Sequence, residues 1–141
     1  MNTNDKNDVS SKIVVSAAFF GALGVVLGAF GAHALKGGLE QRGMTSVWDT
    51  AVKYQLFHAV ALVALAGWVQ ARLATVQSDA SFARSMRGVA WAFAAGMILF
   101  SGSLYLLALG APSWLGVITP FGGLALIAAW IRLGMVAWRV R

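Results

Sequence analysis

The chain has no cysteine in 141 residues. Disulfides, thiol catalysis, iron–sulfur ligation and cysteine-based zinc sites are excluded together. Charge is scarce too: charged residues make up 11% and hydrophobic ones 59%. A soluble domain carries about 25% charged residues. A fold this small could not cover a water-facing surface with so few. Lipid is the solvent that fits. No serine or threonine has a credible base and orienter pair, so no catalytic constellation appears and the chain reads as non-enzymatic. The metal-ligand inventory is His33 and His58, with Glu40 and Asp49 between them. No standard spacing supports a metal site, and no cofactor is expected.

Net charge is +6. The basic residues sit at the ends of apolar segments, which points to topology and anionic headgroups. No stretch interleaves basic and aromatic residues as a strand-binding groove would, so nucleic acid is not an expected partner.

Residues 1–12 are polar and read as a short solvated tail. Ile13 to Leu35 then runs 23 residues without a charge. A bilayer core of about 30 Å needs about 20 helical residues, so this is one crossing. Ala32-His33-Ala34 looks like a signal cleavage site, but a signal h-region is typically about 7–15 residues and this run is longer. Gly37-Gly38 is expected to end the first helix. Ser46-Val47-Trp48-Asp49 has the form of a capping box, which predicts a helix start near Val47. The connection at 36–50 is expected to carry a short amphipathic piece with Leu39, Met44 and Trp48.

Gln70 to Arg87 forms the second connection, with Gln77, Ser78 and Asp79 in it. Gly88 to Ile131 is 44 residues without a charge. One straight helix would be about 66 Å long, twice the hydrocarbon thickness. The run must fold back, and Gly110-Ala111-Pro112-Ser113 is its only central turn cluster. The fold predicted is all-α, a bundle of four transmembrane helices over 13–138. The spans fall at about 13–35, 51–71, 88–109 and 114–133. Trp114, Trp130 and Trp138 lie near predicted span ends, where aromatic belts form.

Four spans put the tail, the second connection and the C-terminus on one side. That side holds seven cations: Lys6, Lys12, Arg72, Arg84, Arg87, Arg139 and Arg141. Lys36, Arg42 and Lys53 make three on the other. Arg132 lies near the inner boundary and can snorkel to it. This asymmetry predicts both termini in the cytoplasm.

Gly21, Gly24, Gly28 and Gly31 fall on one stripe of the first span. Such a stripe lets another helix approach closely, either within the chain or in self-association. Pro120 removes a backbone hydrogen bond and predicts a kink in span four, loosened by Gly122-Gly123.

Counted from the predicted outer ends, the polar residues inside the spans share a depth. His33, Tyr54, Gln55, His58, Ser101, Ser103, Tyr105 and Thr119 would fall within about the outer 12 Å. Polar residues inside spans usually face the bundle interior or water. A polar layer in the outer half is therefore expected. It has several readings. It could hold helices in register in a structural or accessory subunit, with another membrane protein or a second copy as partner. It could bind or pass a small or lipid-like ligand. Tyr54, Gln55 and His58 could line a proton path, though no intramembrane carboxylate is there to relay it. His33 and His58 could ligate a haem iron.

Four motifs now stand in order: Gly28-Ala29-Phe30-Gly31-Ala32-His33-Ala34-Leu35, then Thr50-Ala51-Val52-Lys53-Tyr54-Gln55 with His58, then Phe100-Ser101-Gly102-Ser103-Leu104-Tyr105, then Thr119-Pro120-Phe121-Gly122-Gly123. Together they closely resemble the domain-of-unknown-function 423 family of small membrane proteins, which includes YgdD-like and transmembrane protein 256-like proteins. The resemblance covers roughly residues 13–138. It implies a small multi-pass protein of the bacterial inner membrane and no activity.

Overall fold

The computed structural model describes residues 3–75 and 80–139, with side chains from residue 8 onward. Gln77, Ser78, Asp79, Arg141 and the Lys6 side chain lie outside the described residues. Helix α1 covers Thr3–Ala32, α2 Lys36–Gln41, α3 Thr45–Thr75 and α4 Ala80–Ala108; a 3-10 turn at Ser113–Val117 leads into α5, Ile118–Arg139. Helices α1, α3, α4 and α5 are each long and apolar enough to cross a bilayer. The architecture is all-α with four membrane-spanning helices.

The long helices pack antiparallel in chain order, α1 on α3, α3 on α4 and α4 on α5. One apolar core joins all four. It holds Ile13 and Ala17 of α1, Leu62 and Val69 of α3, Met86 and Phe93 of α4, and Leu126 and Ala129 of α5. Large apolar side chains also point outward, among them Phe57 and Trp91 at 72% and 75% exposure. In water that would be a liability; against acyl chains it carries no penalty.

Several boundaries differ from the sequence reading. Helix α1 already runs through the segment read as a solvated tail. Val9, Ile13, Ala17 and Phe20 continue one buried stripe at helical spacing, and Lys12 Nζ pairs with Asp8 one turn earlier at 2.7 Å.

Gly37 and Gly38 do not end α1; they lie inside α2. The first break comes at 33–35, where Leu35 N–H donates to the Phe30 carbonyl at 2.8 Å. The glycine that terminates a helix here is Gly43, at φ 65° after α2. Met44 N–H bonds the Leu39 carbonyl and Gly43 N–H the Glu40 carbonyl, the paired bonds of a Schellman turn. Gly110, at φ 95°, closes α4 with the same pair of bonds.

Ser46 falls inside α3, which starts at Thr45, so the expected capping box does not mark the boundary. Pro120 does not lie in the middle of a helix. The 3-10 turn precedes α5, so Pro120 is the third residue of that helix. In a first turn the missing N–H has no intrahelical acceptor to lose.

Candidate functional site

Side-chain hydrogen bonds between helices mark where the spans hold polar chemistry. Trp48 on α3 donates its indole N–H to the Leu27 carbonyl of α1 at 3.0 Å. A side chain at Gly31 would collide with that indole. Gln55 donates to the Phe20 carbonyl at 2.8 Å, and both Gln55 and the bond are buried. Gly24 and Gly28 let α1 close onto Leu56 and Val52 of α3, which keeps these bonds short. The glycine stripe thus lies against a neighbour within the chain.

His58 joins three helices. Its ring packs near Phe93 of α4 and Trp130 of α5, with centroids 5.6 and 6.2 Å away. Trp130 Nε1–H can only donate, and it reaches His58 Nε2 at 3.2 Å. Nε2 is therefore the acceptor, and the ring proton sits on Nδ1. Nδ1 donates to the Tyr54 carbonyl at 2.6 Å. Both ring nitrogens are thus engaged within the protein. Tyr54 itself is 43% exposed and packs its ring on Phe100 at 4.5 Å.

A second group lies between α4 and α5. Ser103 and Thr119 share a hydroxyl–hydroxyl bond at 2.7 Å. The helices approach so closely at Gly122 that a Cβ there would run into the backbone of Leu99 and Phe100. Gly123 rests on the Phe100 ring. Tyr105 packs its ring on Trp48 at 4.7 Å in a small core with Leu39, Ala51 and Ala108. The Tyr105 hydroxyl and Ser101 Oγ are buried and have no hydrogen-bond partner in the protein. They are four residues apart on one helix, so they share a face.

His33 does not join these groups. It lies exposed in the turn after α1. Trp48 pairs with Leu27 and Gln55 with Phe20, so the level of His58 falls about halfway along α1. His33 is then roughly 20 Å away along the bundle at 1.5 Å per residue. One iron cannot bind both histidines, and the haem arrangement fails. The shared layer loses His33. Helix α3 starts six residues before the predicted span, which moves His58 to the middle of its 31-residue helix. The polar residues form two tiers along the bundle: His58 and Gln55 nearer the middle of α3, then Ser101, Ser103, Tyr105 and Thr119 toward the α2 end. Among the described residues, no group of three His, Asp or Glu could hold a metal ion.

Trp130, Phe93 and Phe100 were not among the sequence candidates. Trp130 read as a belt residue because span four was expected to end at 133; α5 runs on to Arg139. No spacing rule links residue 130 to residue 58.

Residues 27–123 match the model of the family described as "Protein of unknown function (DUF423)". The chain belongs to this family. Among DUF423 relatives, the UPF0382 membrane protein YwdK of Bacillus subtilis is 40% identical over 88% of this chain and 94% of its own length. A UPF0382 membrane protein of Haemophilus influenzae is 37% identical over 89% of this chain and 92% of its own. The UPF0382 inner membrane protein YgdD of Escherichia coli is 34% identical over 92% and 91%. No solved structure matches the chain significantly. Relatives and helices agree on a multi-pass membrane protein. The matched DUF423 segment contains both polar tiers and every interhelical bond described above except that of Gln55 to Phe20 and that of Trp130 to His58.

Proposed function

We propose that this DUF423 protein is a non-enzymatic accessory or structural subunit of the bacterial inner membrane, with both termini cytoplasmic. The observation that carries the reading is that five polar side chains inside the spans find their partners within the protein. Trp48, Gln55, His58, Ser103 and Thr119 all make hydrogen bonds that clamp one helix to another or to its own turn. A proton path through His58 would first have to break the Trp130 bond. Side chains used this way set helix register, and the outward apolar faces are left for lipid or a partner's helices.

The test is a tagged pull-down from native membranes in mild detergent, with stoichiometry measured. A stoichiometric protein partner is expected, and its loss of assembly when the subunit is deleted. Absence of any partner above background overturns the accessory reading.

A second reading rests on Ser101 and Tyr105. Two buried hydroxyls without protein partners suit a small polar ligand held between α3 and α4. Ligand identification in the same purified material addresses it.

A further inference from the structure

At the end of the bundle opposite α2, a wedge lies between α1 and α4. The wedge is a half-open groove of about 380 Å³. Its polar lining is Ser11, Lys12, Ser16 and Arg87, and the apolar lining includes Ala90, Trp91 and Ala94. The order along the helices matters. Lys12 is the last charge before the uncharged run of α1, and Arg87 the last before that of α4. Two cations thus stand where the uncharged runs begin, and the groove continues past them along the apolar stretches of both helices. Trp91, one turn beyond Arg87, is 75% exposed and forms its wall. Arg132 of α5 crosses Gly88 at this same level, and Asp8, bonded to Lys12, is the opposing charge.

We propose that this groove is a binding site for an anionic phospholipid of the leaflet on that side. The phosphate sits on Lys12 and Arg87, and the upper part of one acyl chain lies on Trp91 and Ala94. A zwitterionic lipid would fill the apolar part equally well. Only a headgroup with net negative charge gains from the two cations, because its charge is not offset by an ammonium of its own. The guanidinium can hold the phosphate with two parallel bonds, and the lysine acts as a point charge beside it. This site is separate from the polar tiers and does not depend on the accessory reading.

The experiment uses the full chain in phosphatidylcholine nanodiscs. Brominated phosphatidylglycerol or brominated phosphatidylcholine is added at the same mole fraction, and tryptophan quenching is read. Subtracting the Trp91→Phe variant isolates the groove. Quenching of Trp91 by the anionic lipid should correspond to about fivefold tighter association per engaged cation. The Lys12→Gln, Arg87→Gln double variant should bring the two lipids level. Asp8→Asn should move the other way and strengthen the preference, since it frees Lys12 and removes a negative charge; this arm stands even where the double variant fails to fold. Equal quenching of the wild-type chain by both lipids overturns the proposal. So does a preference unchanged in the double variant, or one that Asp8→Asn weakens. A second copy of the chain seated in the groove would shield Trp91 from both lipids, and that outcome also overturns it.

Discussion

Trp130 on α5 and His58 on α3 are joined by a hydrogen bond of 3.2 Å, although the intervening helix α4 carries most of the packing between them. The bond reads like a strut across the bundle. Trp130→Phe keeps an aromatic ring, removes the donor and trims the indole's packing on Phe93. It should destabilise the protein by about 0.6 kcal/mol, the average for interhelical bonds in a bilayer. His58→Ala also removes a buried ring and should cost about 1–3 kcal/mol. Unfolding in mixed micelles, run as a double-mutant cycle, checks the pair. Additive effects would mean that the bond contributes nothing.

Gly122→Ala should be the most damaging glycine substitution. Its methyl group would meet the backbone of Leu99 and Phe100, which cannot rotate away. The helices must separate, at about 1–3 kcal/mol. Gly67→Ala is the control. It has open space around it on α3, and alanine there should leave stability unchanged or raise it by up to about 1 kcal/mol. Thermal melts in detergent should therefore fall for Gly122→Ala and not for Gly67→Ala.

Gly31→Ala should displace the Trp48 indole and break its bond to the Leu27 carbonyl. Near-ultraviolet circular dichroism should lose intensity while helix content stays level. Unchanged dichroism would show that the site accepts a methyl group without moving the ring.

Tyr105→Phe tests whether the orphaned hydroxyl holds anything. With no partner, its removal relieves an unmet polar group and should be neutral or stabilising by up to about 1 kcal/mol. Clear destabilisation in purified protein, shared by Ser101→Ala, would instead mark a bound polar molecule.

A reporter fused after Arg141 should read as cytoplasmic, and one inserted near Arg42 as periplasmic. The cation asymmetry predicts both. A periplasmic C-terminus would reverse the orientation.

The four spans were legible because their signal is an absence. No charge interrupts 13–35 or 88–131, and Gly110 supplies the turn that the longer run needs. Depth was not legible. It was counted from where charges begin, but the α2 end of the bundle is set by packing. Leu39, Trp48 and Tyr105 form a core there and carry α3 out to Thr45. Helix α1 likewise continues ahead of its uncharged run on a buried face that includes Val9. The candidate site suffered the same error. His33 and His58 looked level from charge positions and are separated by many turns. Trp130 was invisible as a partner because its link to His58 spans 72 residues.

The pairing of α1 with α3 has a consequence for biosynthesis. The first two spans leave the ribosome before the others. Their hairpin already contains both partners of the Trp48–Leu27 and Gln55–Phe20 bonds. The indole and the amide can therefore be sheltered from acyl chains as soon as that hairpin forms. His58 Nε2 must wait for the last span, which brings Trp130, whereas the Ser103 hydroxyl already has the Phe100 carbonyl of its own helix. A chain stalled after α3 would thus keep a closed hairpin in which His58 Nε2 still lacks its Trp130 donor.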